Sequence, residues 1–260
     1  MTREEKIMNR LQEHYDYLIA KGYEVVCLML QGSQNYELDE YSEEYTSDID
    51  SKAIILPSFQ DFVAEKSPIS NTIVLDNNEH IDTKDIRVMF EQFKKMNISY
   101  IELLYTKFKI INPKYQELIK PLFDNRETIA AINKNQFLRC ISGMSMEKVK
   151  ALCHPYPNII DKINTYGFDG KQLHHCVRLF EFMSRYTKGE PLEDCYISQY
   201  KNELKNLKKQ LTFGGDRLLT KEEAVKIANF YDKQTKMLKN LYVTDRDEIN
   251  QDRLPHTLWY

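Results

Sequence analysis

A chain of 260 residues, 42% hydrophobic and 29% charged, has the composition of an ordinary globular protein, large enough for one large core or two small ones. A net charge of −3 argues against a dedicated DNA binder, and no apolar run approaches the roughly 18 residues of a membrane-spanning helix. Five cysteines without paired spacing argue against a disulfide framework or a zinc site. With a first stretch rich in charge rather than a secretory leader, they lead us to expect a cytoplasmic protein.

The charge is unevenly spread. Residues 1–130 carry 15 Lys+Arg against 23 Asp+Glu, and residues 131–260 carry 21 against 16. An acidic front suits a cation site, and a basic back suits phosphate.

In chain order, Ile7, Leu11, Tyr15 and Leu18 predict an amphipathic helix with Thr2 as its cap and Gly22 at its end. Tyr23 to Leu30 reads as a buried central strand, broken by Gly32. Ser47 to Leu56 predicts a second strand, stopped by Pro57. Thr72 to Leu75 and Glu79 to Thr83 flank Asp76-Asn77-Asn78 as a hairpin. Helices follow over Ile86 to Met96 and Ser99 to Tyr105, then a short extended piece near Phe108 to Ile111. Beyond Pro113 the pattern is helical, with segments at Gly170 to Lys188, Ser198 to Leu211 and Lys221 to Leu241. The expected fold class is α/β (α+β): a small mixed sheet with flanking helices over residues 1–115, and a helical C-terminal region over 116–260, with the boundary between Asn112 and Asn125.

Chemistry concentrates in two places. Gly32-Ser33 forms a turn after the first strand, where a residue without Cβ lets backbone approach a phosphate. Asp48 and Asp50, spaced two apart, project to one face of a strand, while Ile49 and Ser51 take the other. Two close carboxylates repel unless a cation lies between them, and hard oxygen donors select Mg²⁺ or Mn²⁺. In-line phosphoryl chemistry commonly uses two such ions and a third carboxylate on a neighbouring strand. Asp82 is the candidate; Asp85, just before the helix at Ile86, is better explained as an N-cap.

Gly32-Ser33, a linker, Asp48-x-Asp50 and a later acidic strand residue together resemble the signature of the polymerase-β-like nucleotidyltransferase superfamily. The chain is most similar to its minimal bacterial and phage-type members, through Gly32, Ser33, Tyr36 and Leu38 and through Asn97 to Tyr105. The resemblance covers residues 23–110 well and 170–188 loosely. It implies transfer of an NMP from an NTP to an acceptor hydroxyl, with Asp48, Asp50 and Asp82 as catalytic and metal-binding residues around two Mg²⁺ or Mn²⁺ ions. Gly32 and Ser33 would hold the triphosphate.

Lys171, His175 and Arg178 share one face of a helix; in similar enzymes such a helix braces the β- and γ-phosphates. The acceptor is left open between an RNA end such as tRNA, a small molecule and a protein, with no membrane partner. The alternative is a catalytically silent nucleotide-binding or interaction module. Two departures stand out. Residues 39–45 form an acidic insertion with tyrosines suited to stacking a base, and Glu37 stands where Gly is common. A tail at 254–260 is expected either to dock on the body or to hang loose.

Overall fold

The computed structural model describes residues 2–40 and 47–243, in two compact units, one up to Asn133 and one from Lys134 onward. Most of the acidic insertion, including Tyr41 and Tyr45, and the 254–260 tail lie outside the described residues.

The first unit is a five-stranded mixed sheet with helices. Helix α1 (Arg3–Ala20) opens on a capping box: the Thr2 hydroxyl accepts from Glu5 N, and the Glu5 carboxylate accepts from Thr2 N. Such a cap contributes about 1 kcal/mol. Strands β1 (Glu24–Gln31), β2 (Asp50–Leu56), β3 (Ser70–Val74), β4 (His80–Asp85) and β5 (Lys109–Ile111) lie in the order β3-β4-β2-β1-β5. Only β2 and β4 pair in parallel; the other neighbours are antiparallel. Asn78, at φ +64, turns the β3–β4 hairpin.

A bulge at Val25–Cys27 shifts the alternation of β1, so Val25, Leu28 and Leu30 share a face with Ala53, Ile55 and Ile81. Ile7, Leu11 and Leu18 of α1 cover that face and are fully buried. Each such side chain contributes about 1.5–3 kcal/mol of burial.

Short helices complete this unit: α2 (Phe59–Val63), α3 (Ile86–Lys94), α4 (Ile98–Ile101) running into a 3-10 turn at Glu102–Tyr105, α5 (Gln116–Asp124) and α6 (Arg126–Ala130). Asp85 is the N-cap of α3, its carboxylate accepting from Arg87 N at 2.9 Å. The second strand begins at Asp50 rather than Ser47, because residues 47–49 are tied by other bonds. Ser47 N donates to Glu40 O at 2.9 Å, and Ile49 N donates to the Glu79 carboxylate at 3.3 Å.

The second unit is helical: α7 (Lys134–Ala151), α8 (Ile160–Tyr166), α9 (Gly170–Thr187), α10 (Leu192–Tyr196), α11 (Lys201–Lys208) and α12 (Lys221–Tyr242). The predicted helix at Ser198–Leu211 is trimmed at both ends. The Ser198 hydroxyl and Gln199 N donate to the Glu181 carboxylate, and Leu211 pairs with Leu218 as a β-bridge. All five cysteines are free. No helix among the described residues is long and apolar enough to cross a membrane.

Helix α9 is central to this unit, with Leu173, Cys176, Leu179, Phe182 and Met183 buried. Its first residue allows close approach to α11: a Cβ on Gly170 would lie 2.4 Å from Leu207 O and 2.7 Å from Lys208 O. Backbone there cannot yield cheaply. Gly170→Ala is therefore expected to destabilise the protein by about 1–3 kcal/mol, read as a lower urea midpoint at unchanged slope.

Candidate active site

The Gly-Ser turn meets the first aspartate strand at the end of β1. Gly32 has φ +81 and ψ −157, a combination that only glycine adopts without strain. It starts a 3-10 turn at Ser33–Tyr36, which ends on Glu37 at φ +56. The left-handed backbone at Glu37 explains why glycine suits that position.

Gln31 pairs with Asp50 across β1 and β2, which brings the turn beside the carboxylate. A Cβ placed on Gly32 would lie 3.7 Å from Asp50 Oδ2. Buried Gln34 reaches from the turn to the segment before β2, its amide donating to Ser47 O at 3.3 Å and Asp48 O at 3.4 Å. Gly32, Ser33, Asp48 and Asp50 thus belong to one small region. Asp48 precedes the strand, yet the burial pattern still alternates: Asp48 is exposed, Ile49 buried and Asp50 half-buried.

Other motif residues serve to hold the turn. The Asn35 amide donates to Leu30 O at 2.7 Å, and its carbonyl accepts from the Thr106 hydroxyl at 2.6 Å. The Tyr36 hydroxyl donates to the Glu102 carboxylate. Arg3 of α1 grips Gln34 O and the Asp39 carboxylate, each at 2.7 Å. The two segments that carry the family resemblance, at 32–38 and 97–105, are therefore bonded to each other.

Beneath the sheet, the Glu79 carboxylate accepts from Arg10, from His14 Nε2 at 3.1 Å and from Ile49 N. His14 is fully buried, and its Nδ1 bonds the Ser51 hydroxyl at 2.9 Å. Burial alone would raise the Glu79 pKa, but the bonds from His14, Arg10 and Asn77 carry it down to about 2. The next residue, His80, faces the opposite side, and its backbone N and Nδ1 donate to Asp50 Oδ1 at 2.9 and 3.1 Å.

Asp82 lies on that same face, next to Lys52 in the parallel β2–β4 register. Its Oδ1 accepts from Thr72; its Oδ2 accepts from Gln31 at 3.4 Å and faces Lys52 Nζ at 3.4 Å. Burial would raise Asp82, and these donors together with Lys84 bring its pKa below the usual value. Lys52 is 5% exposed, with Nζ 4.1 Å from the centroid of the Tyr100 ring. Burial lowers its pKa, while Asp82 and Glu102 pull it back.

Sequence reasoning missed Lys52, His80, Gln34, His14 and Glu79. The first two had a signal, since each sits two residues from a candidate aspartate in a strand of period two. The others fill contacts that no local pattern announces.

Lys171, His175 and Arg178 lie along α9 in the second unit, Lys171 exposed, His175 partly buried and Arg178 buried. The helix start is already held by an anion, with the buried Asp169 carboxylate accepting from Lys171 N at 3.0 Å. Buried His174 points elsewhere, its Nδ1–H donating to Lys171 O at 2.7 Å. Burial and then Arg178 lower the His174 pKa to about 3; burial, His174 and Arg178 take His175 well below its ordinary value.

No protein-family model matches the chain, and no curated protein sequence matches it significantly. Among solved structures, it is similar to the crystal structure of a nucleotidyltransferase-like protein from Exiguobacterium sibiricum. The two are 12% identical with a TM-score of 0.30, over 95% of this chain and 86% of that one.

Two measurements follow from these geometries. Gly32→Ala forces an L-residue into glycine-only backbone and is expected to cost about 1–3 kcal/mol in denaturant unfolding. A neutral ordinary stability would mean the turn relaxes at no cost. For His174, the unfolded chain binds a proton between pH 6.5 and about 3 that the folded chain does not, so stability falls as pH drops through this window. The slope is up to about 1.4 kcal/mol per pH unit for one such group, and His174→Gln should reduce it in urea titrations between pH 7.5 and 5, leaving the share that the similarly lowered His175 contributes.

Proposed function

We propose that the chain is a divalent-cation-dependent nucleotidyltransferase, moving an NMP from an NTP, ATP included, to an acceptor hydroxyl with release of pyrophosphate. The observation that carries this reading is the adjacency of the glycine-only Gly32-Ser33 turn to Asp50, in a chain whose motif order resembles that superfamily. The donor chemistry fits one hard cation: Asp48 and Asp50 offer carboxylate oxygens on a partly exposed segment. It does not fit a three-carboxylate seat. Among the described residues, no group of three His, Cys, Asp or Glu is placed to hold a metal ion.

Asp48 and Asp50 are the residues that would hold Mg²⁺ or Mn²⁺, which when bound supplies Lewis-acid stabilisation of phosphate oxygens. Gly32 leaves room for phosphate against the backbone, and the Ser33 hydroxyl is a donor to it. His80 orients Asp50 through two bonds to one oxygen, and Gln34 ties the Asp48 backbone to the turn. A phosphate role for Lys171, His175 and Arg178 belongs to the same proposal, supported by sequence resemblance and the positive charge of that helix. The basic balance of residues 131–260 favours an RNA end as acceptor over a small molecule or protein, and the setting is proposed to be cytoplasmic.

The test is transfer of α-labelled NMP from each of the four NTPs, with Mg²⁺ or Mn²⁺, onto RNA, protein and small-molecule fractions. Label in one fraction, absent with the Asp48→Ala/Asp50→Ala double variant, is the expected result and names the acceptor class. Asp50→Asn alone is expected to lower the rate by at least about 100-fold at unchanged thermal stability. Nucleotide retained without transfer onto any fraction would identify a silent binding module instead.

A further inference from the structure

Lys52 lies beside the third candidate carboxylate. The β2–β4 register sets Lys52 directly beside Asp82, and alternation turns both toward the face that carries Asp50 and His80. The ammonium stands 3.4 Å from Asp82 Oδ2 and 4.1 Å from the Tyr100 ring centroid. Only 5% of the residue is exposed.

Asp82 meets protein groups at both of its oxygens. Thr72 donates to one oxygen, and Gln31 and Lys52 face the other. A divalent ion on Asp82 would have to displace these groups or sit within a few ångströms of a buried ammonium, where repulsion is poorly screened. Asp50 is arranged the opposite way. His80 takes its Oδ1 twice, and its Oδ2 looks toward the Gly32 turn. The oxygen that Asp50 would offer to a cation is therefore the one on the turn side.

We infer that Lys52 supplies the positive charge at Asp82 as a built-in counter-ion, so that Asp82 is a positioning residue and the site seats a single divalent ion, at Asp48 and Asp50. The inference rests on the transferase reading above and narrows it, replacing the two-ion, three-carboxylate arrangement expected from sequence. Asp82 fixes Lys52, and Lys52 holds positive charge on the site face without a second metal.

The experiment is equilibrium dialysis of the full chain against Mn²⁺, with an equimolar non-hydrolysable ATP analogue, counting Mn²⁺ and nucleotide retained per chain. Wild type is expected to retain one ion. Asp82→Asn is expected to keep that count with affinity within about threefold, whereas Asp50→Asn loses at least about tenfold. Lys52→Met, which removes the ammonium and keeps an unbranched side chain one atom shorter, is expected to gain a second ion. Far-UV circular dichroism checks each variant, and Lys52→Met decides alone if Asp82→Asn does not fold. Two ions in wild type, loss of an ion in Asp82→Asn, or an unchanged count in Lys52→Met would each overturn the inference and leave the transferase reading intact. A wild type that retains neither Mn²⁺ nor nucleotide would overturn the transferase reading, and this inference with it.

Discussion

The candidate site depends on one buried carboxylate. Glu79 accepts from Arg10 and His14 of α1 and from Ile49 N between the two aspartates, while its own backbone N donates to Asn77 Oδ1. Helix, hairpin and the approach to β2 are thereby fixed to one another at a single point. Removing one partner of a fully buried ion pair typically costs about 3–5 kcal/mol, and the partly exposed Arg10 places this cluster below that figure. Because His80 follows Glu79 on the opposite face, the same stretch of backbone that anchors Glu79 below the sheet presents two donors to Asp50 above it. Core and site are coupled through two consecutive residues.

Elements with a strong period or a chemical punctuation mark were legible in the sequence. Helix α1 with its Thr2 cap, strand β1, the Asn78 hairpin, the Asp85 cap and helices α9 and α12 all lie within a few residues of expectation. The strand start at Asp50 and the trimmed α11 were not. In both places side chains distant in sequence satisfy the backbone: Glu79 at Ile49, Glu181 at Gln199. Local propensity carries no information about such partners, and a helix or strand gives way where another acceptor is offered.

The same distinction governs the site. Gly32 was legible because its backbone conformation excludes other residues, and the face of Asp50 because strand period two ties sequence spacing to direction, whereas Asp48 precedes the strand. The environment of Asp82 was not, since it depends on which strand lies beside β4 and in what register. Parallel pairing with β2 puts Lys52 there. With a one-residue shift in that register, the lysine would no longer lie beside Asp82, and the charge balance of the face would change.

Motif membership and chemical availability are therefore different properties of a residue. Asn35, Tyr36 and Glu102 belong to the segments that carry the resemblance, yet their polar atoms are bonded to Thr106, Leu30 and each other. They build the turn. Gly32, with its bare Cα beside Asp50 Oδ2, is the position at which a ligand can approach the backbone. An acidic first half does not by itself make an acidic site, because the local sign is set by the nearest few groups. Lys52 offsets the charge of Asp82, and His80 occupies one oxygen of Asp50 with two hydrogen bonds. What the face offers to a phosphate or a cation is the remainder of that pairing, and the remainder lies on the Gly32 side.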